Sequence, residues 1–133
     1  MTTHASGTFG FKNWDEQPYS EPAAGTKLAR ASVTNVYDGF VQGEGTAQFL
    51  LAYTDPTTGI YTGLEQVVGS IDGRTGNFVL RHSGTFTGDG VSATLDVVPD
   101  SGTSELRGLR GTGQFAATHG TPQTPYTLDV QFE

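Results

Sequence analysis

The chain has no cysteine among its 133 residues, which excludes disulfides, thiolate catalysis and metal sites built on cysteine. It has only seven Lys and Arg against fourteen Asp and Glu, for a formal net charge of −7. A protein that follows a phosphate backbone needs clustered basic residues, and here they are scattered. We therefore expect no nucleic-acid partner and no membrane partner, and we take the acidity to serve solubility.

Several other features are missing as well. No apolar run approaches membrane-spanning length, and the first residues, MTTHASGTF, have neither the basic nor the apolar region of a signal peptide. We expect a cytoplasmic protein of bacterial type. His4, His82 and His119 show no metal-ligand spacing, and no Gly-x-Ser-x-Gly elbow occurs. We expect no metal, no cofactor and no hydrolase triad.

What the chain does contain is short runs of alternating β-branched or aromatic and polar residues, separated by some of its 19 glycines. Such runs predict β-strands, and no stretch sustains a helical spacing of apolar residues. The predicted strands are 5–13, 28–38, 45–54, 60–71, 77–86, 91–98, 112–118 and 125–132. We predict a single all-β domain over 1–133, an eight-stranded antiparallel up-and-down barrel, with a β-sandwich as the alternative.

Two segments interrupt this pattern. Residues 15–26, DEQPYSEPAAGT, predict a Pro-rich loop that lies across one end of the barrel. Residues 99–111 predict a connection with a short helical turn at Ser104–Leu109. Loops often carry function, although both segments would also serve as plain connectors.

Turn sequences in three hairpins predict which residues face each other across neighbouring strands. The turns are expected at Arg74-Thr75, at Gly88-Asp89 and over 54–59, where Gly59 takes the left-handed position. The predicted opposite pairs are Ile71 with Phe78, Val67 with His82, Phe86 with Val91, His82 with Leu95, Tyr53 with Tyr61, and Phe49 with Glu65. All of these residues then share one face, which is apolar apart from Glu65 and His82.

Glu65 and His82 are therefore the candidate catalytic residues. Their predicted positions are diagonal, about 7–8 Å apart between backbones, a gap that long side chains bridge. Gly63, Gly69 and Gly84 leave space beside them, as a ligand cavity requires. The pair would act as acid and base, or would orient a polar group of a mostly apolar ligand. The alternative is a structural pair in which Glu65 only holds His82 or a backbone group.

Other residues are candidates for ligand contact. Tyr53 and Tyr61 would add hydroxyl contacts to the apolar lining. Trp14 would either cap the barrel mouth or anchor the loop after it, and we favour the anchor. Arg30 would either point inward to Glu65 or be solvated, and we favour solvation. The apolar ligand-binding candidates are Phe49, Leu51, Phe78 and Leu95.

A set of short motifs, in order along nearly the whole chain, resembles a bacterial family known mainly as a domain of unknown function. The motifs are Phe9–Trp14 with the acidic loop after it, Lys27–Val33, Gly63–Glu65, Gly73–Phe78, His82–Phe86 and Leu106–Gly111. The family belongs to the same barrel group as plant allene oxide cyclase and the dirigent proteins. The resemblance implies an eight-stranded barrel with a central cavity, and it supplies no catalytic residues.

Relatives with this barrel bind hydrophobic, reactive intermediates and control their ring closure, and some actinobacterial ones are cyclases of polyketide pathways. The resemblance thus implies an intramolecular cyclase or isomerase that acts on a small hydrophobic molecule. It also suggests a homo-oligomer by analogy. Two alternatives stay open: a barrel that binds an apolar metabolite without turnover, and a structural module with a filled core.

Overall fold

The computed structural model describes residues 2–133 and shows a closed antiparallel barrel in which each strand pairs with the next and β8 closes on β1. The predicted eight-stranded barrel is confirmed. The strands are β1 Thr3–Ser20, β2 Lys27–Gly39, β3 Val41–Tyr53, β4 Gly59–Ile71, β5 Arg74–Phe86, β6 Gly90–Val97, β7 Leu109–Thr118 and β8 Thr124–Phe132. A 3-10 turn, Ser104–Leu106, lies between β6 and β7. None of the described residues forms a helix long and apolar enough to cross a membrane.

One half of the barrel is filled with large apolar side chains. This closed half lies at the end where β2 meets β3 and β4 meets β5, and Leu106 of the 3-10 turn is buried in it. The predicted helical turn is therefore present but shorter than expected. The closed half contains Val41, Val67, Ile71, Phe78, Leu80, Leu95, Val97, Leu106, Leu109, Leu128 and Val130.

The other half, the mouth half, is lined partly by small residues. Its inward positions include Ala29, Ala31, Ala47 and Ala93, which are all buried. These alanines pack in one cluster with Phe49, Leu51, Tyr61 and Phe86, whereas branched side chains fill the closed half. The connections 54–58, 87–89 and 119–123 surround its opening.

The β4–β5 hairpin turns earlier than predicted. Asp72 and Gly73 form the two-residue turn, and their φ angles of 51° and 81° are the left-handed pair that a tight type I′ hairpin requires. Val67 therefore faces Phe78 rather than His82, a displacement of four residues. Because the displacement is even, every side chain keeps its predicted face.

The other two hairpins differ in accuracy. The β5–β6 register is confirmed, with Phe86 opposite Val91 and His82 opposite Leu95. In β3–β4, by contrast, the predicted pairs were wrong by two residues. Tyr61 faces Leu51 and Glu65 faces Ala47, because the connection is shorter than predicted: Gly59 already belongs to β4 and faces Tyr53.

The predicted loop over 15–26 was wrong for its first half, since β1 continues to Ser20. Pro18 is compatible with this strand because it lies on an edge: β8 pairs with β1 only from Thr3 to Phe9, so no second strand needs the missing N–H. The part of β1 beyond Phe9 pairs with β2 alone and forms one side of the mouth.

Candidate functional site

The centre of the barrel holds a buried carboxylate with three hydrogen-bond donors. Glu65 on β4 is fully buried. Tyr37 donates its hydroxyl proton to Oε1 at 2.8 Å, and Asn35 donates from Nδ2 to Oε2 at 3.0 Å. Nε2 of His82 lies 2.7 Å from Oε1. Three donors around one carboxylate compensate the loss of water that burial imposes on the charge.

His82 extends this network toward the mouth half. Its Nδ1 atom lies 3.1 Å from the hydroxyl oxygen of Tyr61, and its ring packs 4.9 Å from the ring of Phe49, centre to centre. A carboxylate can only accept, so Nε2 carries the proton that is donated to Glu65. In the neutral imidazole, Nδ1 then accepts the hydroxyl proton of Tyr61, which fixes the order Tyr61, His82, Glu65.

This chain of hydrogen bonds ends at the floor of a cavity of about 870 Å³ that opens through the mouth half. Tyr61, His82 and Asn35 all line it, whereas Glu65 lies behind them. The walls are largely aromatic: Phe9, Trp14, Phe49, Tyr53, Phe86 and Phe115. A hollow of about 980 Å³ on the outer surface is lined largely by Ser, Thr and small residues; Tyr61 also borders it, whereas Glu65 and His82 do not.

The structure brings together most of the predicted site. Glu65 and His82 are in direct contact, and their predicted diagonal placement holds because Glu65 faces Leu80, two residues from His82. Of the ligand-binding candidates, five line the cavity: Trp14, Phe49, Leu51, Tyr53 and Tyr61.

The remaining candidates lie elsewhere. Phe78 and Leu95 are packed in the closed half, away from the open space. Arg30 is exposed on the outer face of β2, opposite Leu50, and does not approach Glu65. Trp14 belongs to β1 rather than to the end of a strand before a loop, and 44% of its surface is exposed at the mouth.

Two residues of the network, Asn35 and Tyr37, were not found from the sequence. They continue the buried alternation of Ala29, Ala31 and Val33 along β2. The signal was therefore the alternation of inward and outward positions along this strand, for which no hairpin register was predicted. No group of three or more His, Asp or Glu residues in the described chain is arranged to hold a metal ion.

Burial, and after it the negative charge of Glu65, raises the pKa of Tyr37 and of Tyr61 well above the ordinary value of 10.0. Both phenols are therefore protonated in the folded protein at pH values where the unfolded chain has lost these protons. The free energy of unfolding is expected to fall as the pH rises above 10, because the unfolded state then binds fewer protons.

A Tyr61→Phe variant tests this expectation. Above pH 10, its free energy of unfolding should fall less steeply than that of the unmodified protein, by about 1.4 kcal/mol per pH unit. Urea unfolding measured from pH 7 to 12 gives both slopes, and the region from pH 7 to 9 serves as the reference. Equal slopes above pH 10 would contradict the assignment of Tyr61 as a buried, protonated phenol.

Comparisons with known proteins agree with one another. A family model described as a protein of unknown function (DUF3224) matches residues 5–130. A crystal structure of a DUF3224 protein of unknown function from Shewanella oneidensis MR-1 is 31% identical in sequence, with a TM-score of 0.80. That match covers 100% of this chain and 99% of the other. A search of curated proteins found no match.

Proposed function

The chain belongs to the DUF3224 family, whose function is unknown, and we propose from its site that it is an isomerase or intramolecular cyclase for a small, mostly apolar molecule bound in the barrel. One observation carries the proposal. A buried carboxylate is linked through His82 to the Tyr61 hydroxyl, and both Tyr61 and His82 line the cavity. A linked set of titratable groups in a cavity is a frequent mark of proton-transfer chemistry.

The proton transfer balances without an added reagent. The Tyr61 oxygen takes a proton from the ligand while the Tyr61 hydroxyl proton moves to Nδ1 of His82. The imidazolium keeps its Nε2 proton, which faces the Glu65 carboxylate 2.7 Å away. The reverse transfer returns a proton to a different ligand atom, so that the ligand is isomerised and the protein is restored.

The raised pKa of Tyr61 restricts how this step occurs. A free phenolate is disfavoured in the buried site, so the two proton movements have to be concerted. Glu65 acts only through His82, which it orients and whose positive charge it would stabilise. It is therefore a positioning residue, and Tyr61 is the group that would touch the ligand.

The cavity supports the binding part of the proposal. Aromatic walls and small inward residues provide an apolar space, and the few polar groups converge on its floor. A volume of about 870 Å³ lies in the range of small-molecule sites, about 300–1,000 Å³. A structural module with a fully packed core would not leave this space.

Binding is tested with N-phenyl-1-naphthylamine, an uncharged apolar dye that fluoresces in dry cavities. We expect saturable binding that quenches Trp14, the single tryptophan of the chain. Ala117 lines the cavity, whereas its neighbour Ala116 is exposed on the outer face. Ala117→Phe should therefore weaken binding about tenfold or more, as about 1.4 kcal/mol of lost contact predicts, and Ala116→Phe should not. Equal effects of the two variants would place the dye outside the barrel.

Proton transfer is tested with 2-tetralone, a small ketone with exchangeable hydrogens next to its carbonyl. In D2O, NMR should show these hydrogens exchanging at least about tenfold faster with the unmodified protein than with Tyr61→Phe. His82→Gln should show the same loss. Binding of the ketone without any difference in exchange would make the protein a non-catalytic binding barrel.

A further inference from the structure

We propose that the ligand is an uncharged ring compound with one carbonyl or hydroxyl group, and that the site excludes carboxylates and ammonium ions of the same size. This inference rests on the proposed function and names its substrate class. It follows from the charges around the cavity, from the polar groups on its floor and from the positions of all seven basic residues.

The floor of the cavity presents no free charge to a ligand. Asn35, Tyr37 and His82 each already donate a hydrogen bond to Glu65. With a neutral His82, an anionic group at Tyr61 would approach a buried carboxylate with no cation between them. Charge brought into such a site without a partner is costly.

Two ionisable side chains line the cavity near its mouth, Glu16 and His119. Glu16 lines the cavity near its opening, where its carboxylate accepts hydrogen bonds from Trp14 Nε1 at 3.1 Å and from the Tyr53 hydroxyl. A carboxylate ligand would therefore pass one fixed negative charge at the entrance and approach a second at the floor. The overall charge of −7 adds to this repulsion.

No Lys or Arg among the described residues lines the cavity. Lys27 is at the mouth end, but its Nζ lies 4.1 Å from the ring centre of Tyr53, in contact with the ring face. Arg30 and Arg81 are on the outer surface, and Lys12 is paired with Glu44 at 2.8 Å. The remaining basic residues are at the closed end: Arg74, Arg107 and Arg110.

An ammonium ion is disfavoured for a different reason. Both nearby carboxylates are already engaged, Glu65 with three donors and Glu16 with two. Glu65 is also fully buried behind Tyr61 and His82, so a cation on the floor would lose its water without reaching that carboxylate.

The Tyr61–His82 pair, in contrast, suits a neutral oxygen. With a neutral His82, the Tyr61 oxygen accepts a hydrogen bond from a ligand hydroxyl. With a protonated His82, Tyr61 accepts from Nδ1 and donates its own proton to a ligand carbonyl. The same contact thus serves both the ketone and the enol of one compound, and aromatic walls fit the ring that carries it.

Three probes of one size test the proposal: 2-tetralone, 1,2,3,4-tetrahydro-2-naphthoate and protonated 2-aminotetralin, titrated by calorimetry at pH 7. We expect the ketone to bind at least about tenfold more tightly than either ion, because each ion must lose water without gaining a partner. A dissociation constant for either ion within tenfold of that of the ketone would overturn the proposal.

The Glu16→Lys variant localises the effect of charge at the entrance. In this variant, the ratio of the dissociation constant of the naphthoate to that of the ketone should fall at least about threefold, because an attraction replaces a repulsion at the entrance. The matched variant Glu44→Lys, on the exposed outer surface, makes the same change in net charge and should leave this ratio unaltered. An equal response to both variants would overturn the role of the entrance.

The failure of this inference differs from the failure of the proposed function. If an ion binds tightly to the unmodified protein and binding is lost in Ala117→Phe, the ligand class is not restricted to uncharged compounds. The proposal that the barrel binds a small molecule is then still supported. Absence of binding by all three probes and by N-phenyl-1-naphthylamine would reject the proposed function, and the substrate class with it.

Discussion

Replacement of Glu65 by leucine is expected to lower the free energy of unfolding by about 3–5 kcal/mol. The two side chains have similar volumes, so the loss does not come from a cavity. It comes from the donors of Asn35, Tyr37 and His82, which are all buried and are left without the acceptor they share. Each buried donor that loses its partner costs about 1–3 kcal/mol.

Urea unfolding at pH 7 measures this loss. Glu44→Leu is the matched control, because Glu44 is exposed and forms only a surface ion pair with Lys12, a kind of contact that contributes about 0–1 kcal/mol. In the double variant Glu65→Leu/His82→Leu, the imidazole without a partner is absent. The double variant should therefore lose less free energy of unfolding than the two single variants lose together. A loss below about 1 kcal/mol for Glu65→Leu would show that the network does not stabilise the fold.

The second large effect is expected at Gly45, a buried position of β3 beside the carboxylate. A Cβ atom at this position would lie 1.9 Å from Oε2 of Glu65 and 2.6 Å from its Cδ. Glu65 is held by three hydrogen bonds and cannot move without breaking one. Gly45→Ala is therefore expected to cost about 1–3 kcal/mol, although alanine in a strand is ordinarily more favourable than glycine.

Thermal unfolding compares Gly45→Ala with Gly88→Ala. At Gly88 the nearest atom to an added Cβ is the Thr57 hydroxyl oxygen at 3.7 Å, an ordinary contact, so a change within about 0.5 kcal/mol is expected. In a Glu65→Ala background, the cost of Gly45→Ala should largely vanish, because the colliding carboxylate is absent. A cost that persists in that background would place its origin in the backbone instead.

The central pair was predictable from the sequence for a simple geometric reason. Side chains alternate along a strand, so errors of two or four residues in a hairpin register leave every side chain on its predicted face. Glu65 and His82 remained on one face and in diagonal positions although Gly63, not Val67, stands opposite His82. The apolar neighbours on that face identified it as the interior before any register was known.

The sequence did not show how far along the barrel axis each inward-facing residue lies. Phe78 and Leu95 share the inner face with Tyr61, but they lie in the closed half, and alternation alone does not distinguish the two halves. Glu65 was predicted to act on the ligand, whereas Tyr61 and His82 lie between it and the cavity. The roles of Asn35 and Tyr37 required the pairing of β2 with β3, for which no tight turn sequence was identified.

The division of the barrel into a closed half and a mouth half has a consequence for how such proteins diversify. Large apolar residues hold the closed half together, whereas Leu51, Val91 and Ala117 line the cavity of the mouth half. Exchanges among apolar residues at those three positions change the volume offered to a guest molecule and leave the main apolar core in place. The architecture thus permits new specificities to evolve, or to be engineered, at low risk to folding.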